Sequence, residues 1–336
     1  MTLPSYLGRG ERAPDFILSV QDGTPTRFYA IAGGLPTLLV FTPAIQTPLL
    51  NFIQALTSQT EIAPFVIQYP SDTPEVPFPV FIDTDGKIHA VYRIKEETET
   101  ILFVLNANLQ VLASGPLDDP DRVVHSICRT LQTQSATCVA QEITTQAPVL
   151  LIPNVLDMGI CRVLIDTWKT QGHEQTGVEQ STSGQRKAVL DNTLKKRSDH
   201  TVTDAKLMRL LTTTVGRRVI PELRKAFQFN ATRFEGFKIV CYNAADSGFF
   251  HAHRDNLSPN TAHRRFAMSL NLNDGYQGGH LRFAEYGPHL YKPVAGGAVV
   301  FSCTHLHEVT PVTSGQRFAL LSFLFGENDI RQTQPT

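Results

Sequence analysis

After Phe237 the chain breaks into short apolar runs, and this pattern limits its fold more than any other feature. FKIVCY (237–242), RRFAMSLNLN (264–273), GGHLRF (278–283), GAVVFSC (297–303) and RFALLSFLF (317–325) are rich in Val, Phe and Leu, with Gly, Asn or Pro in the turns between them. Strands this short and this evenly spaced predict an all-β sandwich or a jelly-roll barrel.

The first 135 residues have a different texture, that of an α/β unit. LPTLLVF (35–41) is a continuous apolar run of the kind found in buried parallel strands. FPVFIDTDGKIHAVY (78–92) reads as strand, Asp-Gly turn, strand, and TILFVLNANLQVLASG (100–115) repeats the pattern around Asn-Ala-Asn. DRVVHSICRTLQ (121–132) has apolar residues at helical spacing, with Asp119 or Asp121 as its cap. The polar stretch that follows predicts a linker over residues 136–148 and a second domain over 149–336, with its β core at about 236–326. That domain opens with a helix capped by Asp157 and a longer one capped by Asp204 and broken near Pro221. Lys195, Lys196 and Arg197 read as a basic knot in a solvated loop, with a lesser expectation that they line a substrate entrance.

Charged residues make up 18% of the 336-residue chain and the net charge is −1, so no global field draws it to nucleic acid or to an anionic membrane. No apolar run approaches the roughly 20 residues that cross a bilayer. No secretory signal is apparent. The five cysteines are irregularly spaced and form no CxxC, which argues against a disulfide framework or a structural zinc site and for a reducing, cytoplasmic setting.

FFHAHRDN (249–256) and THLHEV (304–309) bring pairs of histidines near the end of the chain. On a strand, positions two apart share a face, so His253 and Asp255 can grip one ion. Spacing alone would equally let His251 pair with His253, so parity does not separate the histidines. Two imidazoles and one carboxylate on one face of an octahedron leave three positions open, the arrangement of non-heme Fe(II) oxygenases. HEVTPVTSGQR (307–317) offers the missing histidine and, ten residues on, Arg317 at the start of an apolar strand. A buried arginine there can clamp a carboxylate through two parallel hydrogen bonds.

Taken in order, VCY (240–242), HRDN (253–256), RRFAMSLNLN, GGHLRF, PVAGGAVVF (293–301) and HEVTPVTSGQR resemble the prolyl-4-hydroxylase-like group of Fe(II)/2-oxoglutarate oxygenases, over about residues 150–326. The resemblance implies a double-stranded β-helix with flanking helices. It implies that His253, Asp255 and His307, rather than His251 and His305, hold Fe(II), and that Arg317 binds the far carboxylate of 2-oxoglutarate. It puts Tyr242, and less securely Asn271, in the co-substrate pocket. His251, His263, His280, His289 and His305 are left at the surface or the pocket rim, with His251 and His305 as candidate supports behind the ligands. The implied reaction consumes O2 and 2-oxoglutarate, releases succinate and CO2, and hydroxylates or desaturates an unactivated C–H; ascorbate is an optional reductant. Halogenating relatives carry a small residue where Asp255 stands, so the carboxylate points away from halogenation. The implied substrate is a prolyl or peptidyl group, with a free amino acid or natural product as the alternative. A lid is expected over residues 172–187.

GERAPDFILSVQDG (10–23) and LPTLLVFTPAIQTPLL (35–50) resemble the opening of peroxiredoxin-type redoxins, over about residues 5–132. Pro43 and Thr47 match a P-x-x-x-T motif, but Leu50 stands where the peroxidatic cysteine would be. Leucine offers no thiolate, so this domain is expected to be a redox-dead thioredoxin-like module serving in dimerisation, docking or support. A scaffold silent in both domains and a thiol peroxidase using another cysteine are the competing readings.

Overall fold

A computed structural model describes residues 6–95, 98–134, 142–175, 178–182, 185–189 and 192–329. The chain divides into two compact units, Met1–Gln141 and Glu142–Thr336. It is a mixed α/β chain in which strands far outnumber helices. Part of the expected linker, residues 136–141, and residues 176–177 and 183–184 of the expected lid lie outside the described residues. Within the lid span, the backbone of Val178–Thr182 pairs with Gln185–Val189 as an antiparallel hairpin.

In the first unit a seven-stranded sheet is centred on Thr37–Thr42, which runs parallel to Ala63–Gln68 and antiparallel to Ile101–Leu105. Thr37–Thr42 is buried along its whole length because apolar layers cover both faces. Leu39 and Phe41 pack with Phe28, Phe81 and Phe103 on one side, while Leu38 and Val40 meet the Thr47–Gln59 and Pro120–Gln134 helices on the other. Asp119 caps the latter helix, accepting from the Arg122 amide at 3.1 Å. Leu50 lies half-buried within the Thr47–Gln59 helix.

One expectation for this unit fails. The second strand of 78–92 is instead the helix Lys87–Val91. Asp83, at the end of the Val80–Ile82 strand, accepts from the backbone amides of Ile88 (3.1 Å) and His89 (3.0 Å) and from His89 Nδ1 (2.7 Å). Those bonds satisfy helix-start donors and curl the chain where an extended run would leave them unpaired.

The second unit stacks two antiparallel sheets face to face. The larger one is ordered Leu150–Ile152, Ala298–Ser302, Phe266–Asn271, Gln316–Phe325, Lys238–Asn243, Ser198–Thr201, Glu174–Gln175. The smaller one is ordered Lys195–Lys196, Phe249–His253, His307–Val309, Leu281–Arg282, Leu290–Tyr291. Alternate residues of the larger sheet point outward, and Ile239, Cys241, Leu270 and Leu320 are covered by the Met158–Thr170 and Ala205–Phe227 helices. The other set, Val240, Tyr242, Ala267, Phe301 and Ala319, faces Leu281, Phe283 and Val309 of the opposing side.

Asp204 caps the long helix through the Leu207 amide at 2.7 Å, whereas Asp157 occupies its N-cap position without a side-chain cap and lies 3.7 Å from Arg218. The long helix does not break: it runs Ala205–Phe227 through Pro221. Its buried stripe of Leu211, Val215, Val219 and Leu223 spans the proline on both sides, and packing outweighs the one lost backbone bond. The basic knot is not a solvated loop either. Lys195 lies on the short Lys195–Lys196 strand and is only 7% exposed, and Arg197, in the one-residue gap before Ser198–Thr201, is partly buried against Asp199 and Tyr242.

Candidate metal centre

His253 ends one strand of the smaller sheet and His307 begins its neighbour, and the two residues are register partners. Asp255 follows just beyond the strand, held by its amide on the Cys303 carbonyl at 3.0 Å and by Arg264, which donates to its carbonyl at 3.3 Å. One ligand atom from each of His253, Asp255 and His307 lies within 4.8 Å of the others. His253 Nε2 is 3.5 Å from Asp255 Oδ1, and His307 Nε2 is 3.4 Å from Oδ2.

The two imidazoles are oriented in the same way. His253 Nδ1 donates to the His251 carbonyl at 2.8 Å, and His307 Nδ1 donates to the His305 carbonyl at 3.0 Å. With the proton committed to Nδ1, each Nε2 keeps its lone pair facing Asp255. Burial pulls His307 down to about 4, so its ring is neutral at ordinary pH. Burial pushes the Asp255 carboxyl up, but its surroundings of His253, His307 and Arg264 outweigh it and hold the group below its usual range. Two imidazole Nε2 lone pairs and an ionised carboxylate form a donor set suited to a divalent transition metal.

The other histidines stay outside. His251 is exposed and packs on Phe249, with ring centroids 4.4 Å apart. His305 stacks on Tyr286 at 5.1 Å. Both contribute through their carbonyls, as supports for the ligand rings.

A cavity of about 430 Å3 opens onto the three residues, walled by Tyr242, Phe250, Leu281, Phe301, Val309 and Ser269 among others. Phe250 stacks on His253 with centroids 3.5 Å apart. Arg317 lies directly behind this wall, 2% exposed, donating to Ser269 Oγ at 3.0 Å and to Asn271 Oδ1 at 3.2 Å. No carboxylate pairs with it among the described residues. A buried guanidinium held only by neutral acceptors is costly until an anion reaches it, so the site fits a ligand with a carboxylate end. The Asn271 side chain, expected in the co-substrate pocket, spends its amide on Arg317, Tyr276 and the Pro293 carbonyl.

Arg197 belongs to the basic knot given a lesser expectation of lining a substrate entrance, and Asp199 is not among the expected site residues. Arg197 forms a bidentate pair with Asp199, both bonds at 2.7 Å, and donates to the Tyr242 hydroxyl at 3.3 Å. Burial works against its charge, and Tyr242 and Asp199 outweigh it. The signal was available: Arg-x-Asp has the same two-residue spacing that marks His253 and Asp255. Ser269 and Tyr276 also escaped, since a serine in a strand and a tyrosine after a turn carry no local pattern.

Residues 237–325 match the family model of the 2OG-Fe(II) oxygenase superfamily. A PKHD-type hydroxylase of Azoarcus sp. (strain BH72) is 38% identical over 89 residues, covering 24% of this chain and 39% of the relative. The chain thus spans about two-fifths of the length of the curated relatives it matches. Among solved structures, a Pseudomonas putida prolyl-4-hydroxylase aligns with 54% of this chain and 93% of its own, at 18% identity and a TM-score of 0.40. A peroxidoxin from Mycobacterium tuberculosis aligns with 38% of this chain and 98% of its own, at 20% identity and a TM-score of 0.34. The C-terminal part of the chain resembles the prolyl-4-hydroxylase-like Fe(II)/2-oxoglutarate oxygenases, as its motifs indicate.

Proposed function

We propose that the protein is an Fe(II)- and 2-oxoglutarate-dependent dioxygenase that hydroxylates an unactivated C–H of a prolyl, peptidyl or small-molecule substrate. The observation that carries this reading is the convergence of His253, Asp255 and His307 with both Nδ1 protons already committed to carbonyls. The superfamily match and the relatives named as hydroxylases support it.

In this reading the three residues hold Fe(II), and Asp255 offsets part of its charge. The iron, when bound, supplies O2 activation coupled to conversion of 2-oxoglutarate to succinate and CO2. The chain's own work is binding and exclusion. Arg317 receives the far carboxylate, and Ser269 and Tyr242 line the path to it. The Arg197–Asp199 pair fixes the Tyr242 hydroxyl. Phe250, Leu281, Phe301 and Val309 keep the reacting centre dry. The facing sheets of this unit are read as a double-stranded β-helix. The first unit is read as a thioredoxin-like redoxin module without peroxidatic chemistry, because Leu50 cannot act as a nucleophile and the chain has no cysteine before Cys128. Dimerisation through this unit belongs to the same reading.

The test is Fe(II)-dependent succinate formation from 2-oxoglutarate by the full chain, compared with His307→Ala. Equal succinate formation by both proteins would overturn the reading.

A further inference from the structure

The two segments that carry the candidate ligands meet a second time, outside the ligand ring, at the short turn Ala284–Tyr286. Phe283, just before it, is 1% exposed and packs edge-on to Phe301 and Tyr291, with centroids 4.9 and 5.5 Å away. The turn is therefore rooted in the core between the sheets, and the Tyr286 amide closes it by donating to the Phe283 carbonyl at 2.9 Å.

From this base Glu285 reaches both segments. Its carboxylate takes the Arg254 guanidinium in a fork, Nη2 to Oε1 at 2.6 Å and Nη1 to Oε2 at 3.3 Å. Arg254 stands between His253 and Asp255. The same Oε2 accepts from the amide of Leu306, the residue before His307, at 2.9 Å. Arg254 also donates to the Thr304 carbonyl, so the pair cross-links 253–255 to 304–307. Beside it, the Tyr286 ring stacks on His305, whose carbonyl orients the His307 imidazole.

The strand ladder alone leaves this spacing loosely set. The Phe249–His253 strand ends at the first ligand, and its pairing with His307–Val309 shifts register between Phe250 and His253. Asp255 lies beyond the ladder. A partly exposed ion pair contributes little to folding, but one that spans two ligand segments fixes where their donor atoms stand.

We propose that Glu285 is a positioning residue for the metal centre: through Arg254 and the Leu306 amide it sets the spacing between the His253–Asp255 arm and His307. This rests on the metal reading above. Glu285 touches none of the three ligand side chains; it holds the backbone on either side of them, so that a divalent metal meets a ring already at its working size.

The test is anaerobic titration of the chelator-treated full chain with Fe(II), and with Co(II), whose visible bands report ligand geometry. The proteins are the wild type, Glu285→Ala, Arg254→Met and the double variant. Glu285→Ala is expected to weaken Fe(II) about tenfold and to alter the Co(II) bands. Its metal-free melting temperature should stay within about 3 °C of the wild type. Arg254→Met should show a similar loss, and the double variant should lose no more than about the larger single loss, because both residues act through one clamp. Glu285→Gln, which keeps an oxygen for the Leu306 amide, should fall between wild type and alanine. Unchanged Fe(II) affinity in Glu285→Ala, or losses that multiply in the double variant, overturns the clamp and leaves the metal centre standing. A metal-free melting temperature that falls in step with the affinity makes Glu285 a folding residue and overturns it as well. A wild type that takes up no Fe(II) overturns the oxygenase reading and the clamp with it.

Discussion

His253 and His307 face each other in register across two antiparallel strands, with ring centroids 4.3 Å apart. Two imidazoles at that distance tolerate each other only while uncharged or joined by a cation. Burial already holds His307 at about 4. Above its unfolded value, near 6.5, the ring is neutral in both states and adds no pH dependence. Between about 6.5 and 4 the unfolded chain takes a proton that the folded chain refuses, so stability falls as pH falls through that window. Urea midpoints of chelator-treated protein at pH 7, 5.5 and 4.5 should show this decline, and His307→Gln should flatten it. An equal slope in both proteins would place the titrating group elsewhere.

The same pairing predicts a metal response. A ligand that binds only the folded state at about 100 times its Kd adds roughly 2.7 kcal/mol. For a unit of this size that raises Tm by roughly 5–10 °C. Adding Fe(II) anaerobically should therefore stabilise the wild type, and neither His307→Ala nor Asp255→Ala should respond. A shift of equal size in Asp255→Ala would remove the carboxylate from the ligand set.

Arg317 offers a sharper test of the pocket's far end. Its planar fork bonds Ser269 and Asn271 on one side and has no carboxylate partner among the described residues. Lysine keeps the charge but cannot reproduce two parallel bonds. Losing a buried, hydrogen-bonded charge contact costs about 2–5 kcal/mol. Arg317→Lys should accordingly raise the KM for 2-oxoglutarate by about 30-fold or more, with kcat at saturation far less affected. A KM within threefold of the wild type would contradict the anchoring role.

What could be read in advance follows the range of the interactions. Asp255 lies two residues from His253, and Arg317 lies ten residues from His307, so strand parity and motif order sufficed. The Arg197–Tyr242 bond joins residues 45 apart, and Arg317 reaches Ser269 across 48. No local pattern announces such contacts. The misread helix Lys87–Val91 has a similar cause: Asp83 bonds the amides of Ile88 and His89 from five and six residues upstream, and a strand alternation in the same letters hid it. Pro221 was read as a stop because propensity speaks for one residue, while the buried stripe that overrides it needs a whole sheet to pack on.

Gly278 and Gly279 stand in left-handed backbone, at φ +73° and +62°, and Gly279 lies against Arg317. A Cβ at Gly279 would stand 2.9 Å from Val312 Cγ2 and 3.0 Å from Arg317 Cδ, both side-chain atoms, whereas one at Gly278 would meet the Pro311 carbonyl oxygen at 2.1 Å. Gly279→Ala should fold, lose about 1–3 kcal/mol and weaken 2-oxoglutarate binding by displacing Arg317. Gly278→Ala, pressed against backbone, should be the more damaging to Tm. Reversal of that order in thermal melts would show that the arginine side of the turn is the rigid one.

Lys195 makes the last prediction because its burial has a sign that can be read. It is 7% exposed, and burial, helped by the Arg197 and Lys238 charges and opposed by Asp199, pulls it down to about 7. Between about 7 and 10.5 the unfolded chain holds a proton that the folded chain lacks. The folded state is therefore penalised across this window, fully so at pH 7 and below, and recovers as pH rises toward 10.5. Lys195→Met keeps the apolar stem, which packs toward Phe250 with Nζ 5.3 Å from its ring, and removes the penalty. The variant should melt about 2–4 °C higher than the wild type at pH 7, with the gap closing by pH 10. A methionine variant less stable than the wild type at pH 7 would mean that the ammonium is held by favourable contacts strong enough to outweigh its desolvation.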